Sequence, residues 1–139
     1  MQIYLKVKKI GKRIQTVGET PFVLESAPTT LRDLIFILVN YCVTDYNDRL
    51  RSRRLLMPLA VSQISDMETV GKIGFGIPFG EKEANVQNAV DIAFSAFSDG
   101  LYRFFINGEE RTALDAPLQL QDGDTVAIIR LTMLAGRLF

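Results

Sequence analysis

Hydrophobic positions recur along this chain with two different periods, and the switches between them give an order of elements. In MQIYLKVKKI, Ile3, Leu5 and Val7 fall on one face and Tyr4, Lys6 and Lys8 on the other, which predicts a half-buried strand over 2–10. Gly11-Lys12 suits a hairpin turn, because glycine in the first position accepts a positive φ. The return strand is expected within 13–25, where Pro21 fits a sheet edge or a strand start. The period then becomes helical. Leu31, Leu34, Ile35, Leu38, Val39 and Cys42 form one apolar stripe, so a helix is predicted over about 30–47, lying on the first hairpin. Thr30 precedes it with Asp33 three residues on, a variant of the capping box.

The middle of the chain carries weaker signals. LLMPLAV is apolar but interrupted by Pro58, and SQISDMETVG reads as a short helix capped by Ser62 and stopped by a left-handed Gly71. GKIGFGIPFGEK reads as a glycine-studded loop or short strand. Helical spacing returns at Val86, Ala89, Val90, Ala93, Phe94 and Phe97, with Gly100 closing the element. That stripe is too apolar to leave in water, so the region is expected to be ordered.

The last third is rich in strand signals. Tyr102, Phe104 and Ile106 alternate with Arg103, Phe105 and Asn107, and Asn107-Gly108 is a strong hairpin signal. A short stretch around 110–114, then Leu118 and Leu120, leads to the turn Asp122-Gly123-Asp124. TVAIIRLT (125–132) is a near-continuous apolar run, as expected of a strand central in a sheet. The order implies an α+β domain in which the first and last strands lie side by side and parallel.

Composition narrows the chemistry. The 139 residues suit one domain, and 47% hydrophobic with 23% charged residues is ordinary for a globular protein. Sixteen basic and sixteen acidic residues cancel, so no net field draws the molecule toward nucleic acid or an anionic membrane. No apolar run reaches spanning length, and the alternating N-terminus does not read as a secretory signal. The single cysteine precludes an internal disulfide, which points to a reducing cytoplasm. Histidine is absent altogether. That removes the commonest general base, the commonest zinc ligand and every nucleophile that histidine activates, and it argues against an enzyme and against a metal site.

The element order and the stretch FINGEERTALDAPLQLQDGDTVAIIRL resemble the ubiquitin-like β-grasp superfamily, a mixed sheet crossed by a long helix. Leu118, Leu120, Gly123, Asp124, Val126 and Ile128, leading into a tail from Thr132, look closest to the sulfur-carrier proteins of molybdopterin and thiamine synthesis. The resemblance covers roughly 1–48 and 101–136, and makes 49–100 a helical insertion larger than the family usually carries. It implies no cofactor. Carriers and modifiers of that family are adenylated at a C-terminal glycine, whose missing side chain lets the tail thread an enzyme channel. Here that role falls to Gly136, after removal of Arg137, Leu138 and Phe139.

Several candidate sites follow. The tail residues Leu134, Gly136, Arg137, Leu138 and Phe139 are read as a packing or docking element, with activation at Gly136 as the alternative. Arg49, Arg51, Arg53 and Arg54 form a basic cluster, and Lys6, Lys8, Lys9, Lys12 and Arg13 form another. Without a basic balance or interleaved aromatics, both suit solvated surface or docking of an acidic protein more than nucleic acid. The glycines at 71, 74, 76 and 80 offer a second alternative, a nucleotide or small-molecule loop, but no Gly-Lys-Ser/Thr occurs. Cys42 sits on the apolar stripe and is expected in the core. The acids at 109–110 and 122–124 fall at turns, where Asp bonds the local backbone. The expectation is a non-enzymatic cytoplasmic protein that presents its sheet surface and tail to protein partners, an adenylating enzyme or a peptidase among them.

Overall fold

The computed structural model describes residues 1–10, 14–56, 67, 70–79 and 83–131. The elements run β1 (Gln2–Ile10), β2 (Ile14–Val23), α1 (Leu31–Leu56), a π-helical turn (Val70–Phe75), α2 (Val86–Ser98), β3 (Tyr102–Ile106), β4 (Glu109–Arg111) and β5 (Thr125–Leu131). The five strands form one mixed sheet in the order β2-β1-β5-β3-β4. β1 and β5 are parallel neighbours, in register from Tyr4 with Thr125 to Ile10 with Leu131. That is the arrangement expected from the alternation at the two ends of the chain with one long amphipathic helix between them. β2 is an edge strand and carries Pro21 opposite Tyr4, where a missing N–H is tolerated.

One face of the sheet is covered. Ile3, Leu5, Val7, Phe104, Val126 and Ile128 on that face are fully buried and share one core with both helices and the π-helical turn. The predicted stripe of α1 is buried throughout, from Leu31 to Cys42, and continues through Val43, Tyr46 and Leu50. Each fully buried Leu or Ile contributes about 1.5–3 kcal/mol of hydrophobic stabilisation.

The start of α1 shows how polar groups fix its position. Its first four amides have no partner within the helix. Leu31 and Arg32 donate to the carbonyls of Ala116 and Leu114, Leu34 donates to Thr30, and Asp33 donates to Oγ1 of Thr30 at 3.2 Å. The Asp33 carboxylate accepts instead from the Thr29 hydroxyl at 2.6 Å and the Thr29 amide at 3.2 Å, one residue earlier than a standard capping box.

Three expectations need correction. The helix predicted to end near 47 runs to Leu56, because Tyr46 and Leu50 extend the buried stripe and Asp45–Arg49 (3.5 Å) and Asp48–Arg51 (3.4 Å) pair along it. Gly71 is not a left-handed stop. It lies inside the π-helical turn, where a Cβ would meet Cβ of Cys42 and the Phe79 ring at 3.1 Å, so it serves close packing. The glycine-studded stretch is therefore neither loop nor strand over 70–75. The left-handed residue that follows the turn is Gly76 (φ 75°), beside a hydrogen bond from the Ile77 amide to the Gly71 carbonyl at 3.1 Å. The predicted Ser62 cap and the Gly11-Lys12 turn lie outside the described residues.

The region 83–98 is built into the fold. Asn47 of α1 brackets Ala84, accepting from its amide at 2.7 Å and donating to its carbonyl at 2.9 Å. Asn85 caps α2 by accepting from the Asn88 amide at 3.0 Å. Ala89, Val90, Ala93 and Ala96 are buried, with Val86, Phe94 and Phe97 packed at the margin. The helix ends at Gly100, where Leu101 donates to Ala96 and Gly100 to Phe97.

Candidate functional site

The opposite face of the sheet has no helix against it among the described residues. Period two places Tyr4, Lys6 and Lys8 of β1 there, with Ala127 and Ile129 of β5, Arg103 and Phe105 of β3, and Glu110 of β4. The register sets Lys6 against Ala127, Lys8 against Ile129, Phe105 against Ala127 and Arg103 against Ile129. Lys6 and Lys8 border a shallow depression of about 290 Å³ floored by Ala127 and Ile129. Arg103 meets Glu110 at 3.8 Å, while Lys6 and Lys8 have no acidic partner among the described residues. The result is a half-apolar face edged by ammonium groups. It can take an apolar side chain and an acidic neighbour at once.

Of the second basic cluster, then, Lys6 and Lys8 are on this face. Lys9 is in phase with Val7 on the other side of β1, and Lys12 and Arg13 lie outside the described residues. The arginine cluster at the end of α1 is partly used inside the molecule. Arg51 pairs with Glu83 at 2.6 Å and Asp48 at 3.4 Å, and Arg49 with Asp45 at 3.5 Å. These contacts hold the Arg51 guanidinium above its usual pKa, Glu83 acting most strongly. The Arg53 and Arg54 side chains, and the tail residues Leu134, Gly136, Arg137, Leu138 and Phe139, lie outside the described residues.

The other candidates have structural roles. Cys42 is buried against the Gly71 turn, and burial pushes its thiol up to about 12, so it holds no thiolate at neutral pH. A Cβ on Gly71 would crowd Cys42 and Phe79 at 3.1 Å, whereas one on Gly74 would meet Ile128 and Val7 at 3.4 Å, an ordinary contact. The acids of the DGD turn bind backbone: Asp122 accepts from the Gln2 amide at 2.7 Å and Asp124 from the Gln121 amide at 2.8 Å. Asp124 also accepts from the Asn107 side-chain amide, whose Oδ1 takes the Thr125 amide, so the two turns at this end are locked together. Among the described residues, no group of three His, Cys, Asp or Glu side chains is placed to hold a metal ion, and no helix is long and apolar enough to cross a membrane.

Two features went unread in the sequence. Phe36 (44% exposed), Tyr41 (48%) and Val23 (65%) surround a groove between α1 and β2. Their signal was present, since Phe36 and Tyr41 fall outside the buried stripe. Arg130 is the other. It sits in phase with the fully buried Val126 and Ile128, so the apolar run of β5 ends in a cation on the covered face. Burial holds its guanidinium below the usual arginine pKa.

No family model, curated protein or solved structure matches this chain.

Proposed function

We propose that this chain is a ubiquitin-like β-grasp domain that works without catalysis, as a protein interaction module. The observation that carries the reading is the strand order β2-β1-β5-β3-β4, with parallel first and last strands and a helix between the hairpins on one face only. That layout leaves the Tyr4, Phe105, Ala127 and Ile129 face without a helix against it among the described residues, and Lys6 and Lys8 beside it select a partner with acidic groups around an apolar anchor. The absence of histidine from the whole chain and the buried, protonated Cys42 support a role without nucleophilic chemistry. Gly71 is explained by close packing, which weakens the glycine-loop reading.

The tail completes the proposal. Arg137, Leu138 and Phe139 stay on the chain and act as a second docking element, in place of activation at Gly136. Intact-mass measurement on protein from the cell that makes it tests this. Full-length protein, with partner binding reduced on deletion of Phe139, is expected. A species ending at Gly136, or a thiocarboxylate or isopeptide adduct there, overturns the docking role in favour of a carrier or modifier.

A further inference from the structure

On the covered side of the fold, a cleft of about 350 Å³ opens between α2, Leu101 and the end of β5, at the small end of the range for ligand pockets. Ile92 and Leu101 supply apolar walls over the buried Phe75. Asp91, Ser95 and Asp99 lie one helical turn apart along α2 and its C-cap, and Arg130 enters from the sheet. We propose that this cleft binds a free α-amino acid with an apolar side chain, its carboxylate on Arg130 and its ammonium on Asp99.

The unusual group is Arg130. A half-buried guanidinium loses hydration that internal partners must replace. Among the described residues it makes one long hydrogen bond, to the Gly74 carbonyl at 3.5 Å, and no ion pair. Yet two carboxylates line the same cleft. A Cβ placed on Gly76 would lie 2.6 Å from Cζ, Nη1 and Nη2 of Arg130 alike, so the guanidinium rests face-on against that glycine. Face-on contact leaves its in-plane N–H groups for an acceptor, and a carboxylate fits that fork. The left-handed φ of Gly76 (75°) and the space it leaves are both needed for this placement.

The acids decide the class of ligand. Asp91 and Asp99 repel phosphates and other polyanions, while Arg130 repels a simple cation. One anionic and one cationic group on the same small molecule satisfy all three. Asp91 already accepts from Gln87 at 2.9 Å, which leaves Asp99, without a side-chain hydrogen bond or ion pair among the described residues, for the ammonium. The apolar walls then favour a side chain such as that of leucine. This inference is independent of the interaction surface on the other face of the sheet.

Amide chemical-shift titration of the full chain with L-leucine tests it, with N-acetyl-leucine, leucinamide, a leucine-terminated dipeptide and inorganic phosphate run in parallel. Saturable shifts confined to 75–77, 91–101 and 130 are expected with leucine. Binding about tenfold weaker or worse is expected for the acetylated and amidated forms, and for leucine with Asp99→Asn or Arg130→Lys. Asp99→Asn changes an exposed helix end and keeps the test interpretable should Arg130 variants fold poorly. No saturable shift with leucine, equal binding of leucinamide, or tighter binding of phosphate or of the dipeptide overturns the proposal.

Discussion

Phe104 and Phe105 are adjacent in β3 and chemically identical, yet they belong to different parts of the protein. Phe104 faces the helices and is fully buried, whereas Phe105 faces away from them and is half-buried. The same division runs across the sheet, with Leu5, Val7, Val126 and Ile128 inside and Tyr4, Lys6, Ala127 and Ile129 outside. The inner set is closed by α1, α2 and the π-helical turn, and its residues are specified by packing. The outer set stays half-exposed among the described residues. One backbone thus separates a packed face from an accessible one through the period of two, and the accessible one is the face proposed for recognition.

The largest expected effect comes from that pair. Phe104→Ala should destabilise the protein by about 3–5 kcal/mol, because the cavity it leaves is enclosed on every side. Phe105→Ala should cost much less, since water already reaches the site. Urea unfolding of both variants checks this, and equal losses would mean that the outer face is packed as tightly as the inner one.

Gly76→Ala should cost about 1–3 kcal/mol, as a non-glycine residue is forced into left-handed backbone and its methyl displaces the Arg130 guanidinium. Gly18, where an added methyl would find nothing within 4 Å, is the control, and Gly18→Ala should change the unfolding midpoint little.

The smallest effect concerns neither face. Hydrogen bonds from Thr29, its hydroxyl foremost, hold the Asp33 carboxylate below its usual pKa. A lowered folded-state pKa contributes stability that is present above the unfolded carboxylate range and lost as pH falls through the folded value. Asp33→Ala should therefore be less stable than the wild type at neutral pH, with the gap narrowing in strong acid. A gap that stays constant with pH would mean that the charge on Asp33 contributes nothing, since helix propensity alone favours the alanine variant.

The legible parts of the sequence were those in which one period persisted. The alternation of Ile3, Leu5 and Val7, the stripe of α1 and the Asn107-Gly108 turn (φ 51° and 85°) all read directly into structure. The end of α1 did not, because the Arg-rich turn hid its continuation: Tyr46 and Leu50 keep the stripe, but charged residues surround them. The π-helical turn was illegible for a different reason. Gly71 answers to Cys42, which is distant in sequence, and to the Phe79 ring, and not to a local turn rule. The open face was half legible, since Lys6 and Lys8 were visible as a cluster while their alignment with Ala127 and Ile129 depends on pairing β1 with β5.

The most direct test of the account is a paired isolation of the full-length protein from the cell that makes it, as wild type and as Lys6→Glu/Ile129→Asp. Both substitutions lie on the face with no helix against it among the described residues, so the protein should stay folded with a midpoint lowered only by the cost of Asp in a strand. The proteins co-purifying with the wild type should be lost and should return with the Lys6→Arg/Ile129→Val control. Retention of the same partners at the same yield by the Lys6→Glu/Ile129→Asp protein would contradict the assignment of that face to recognition.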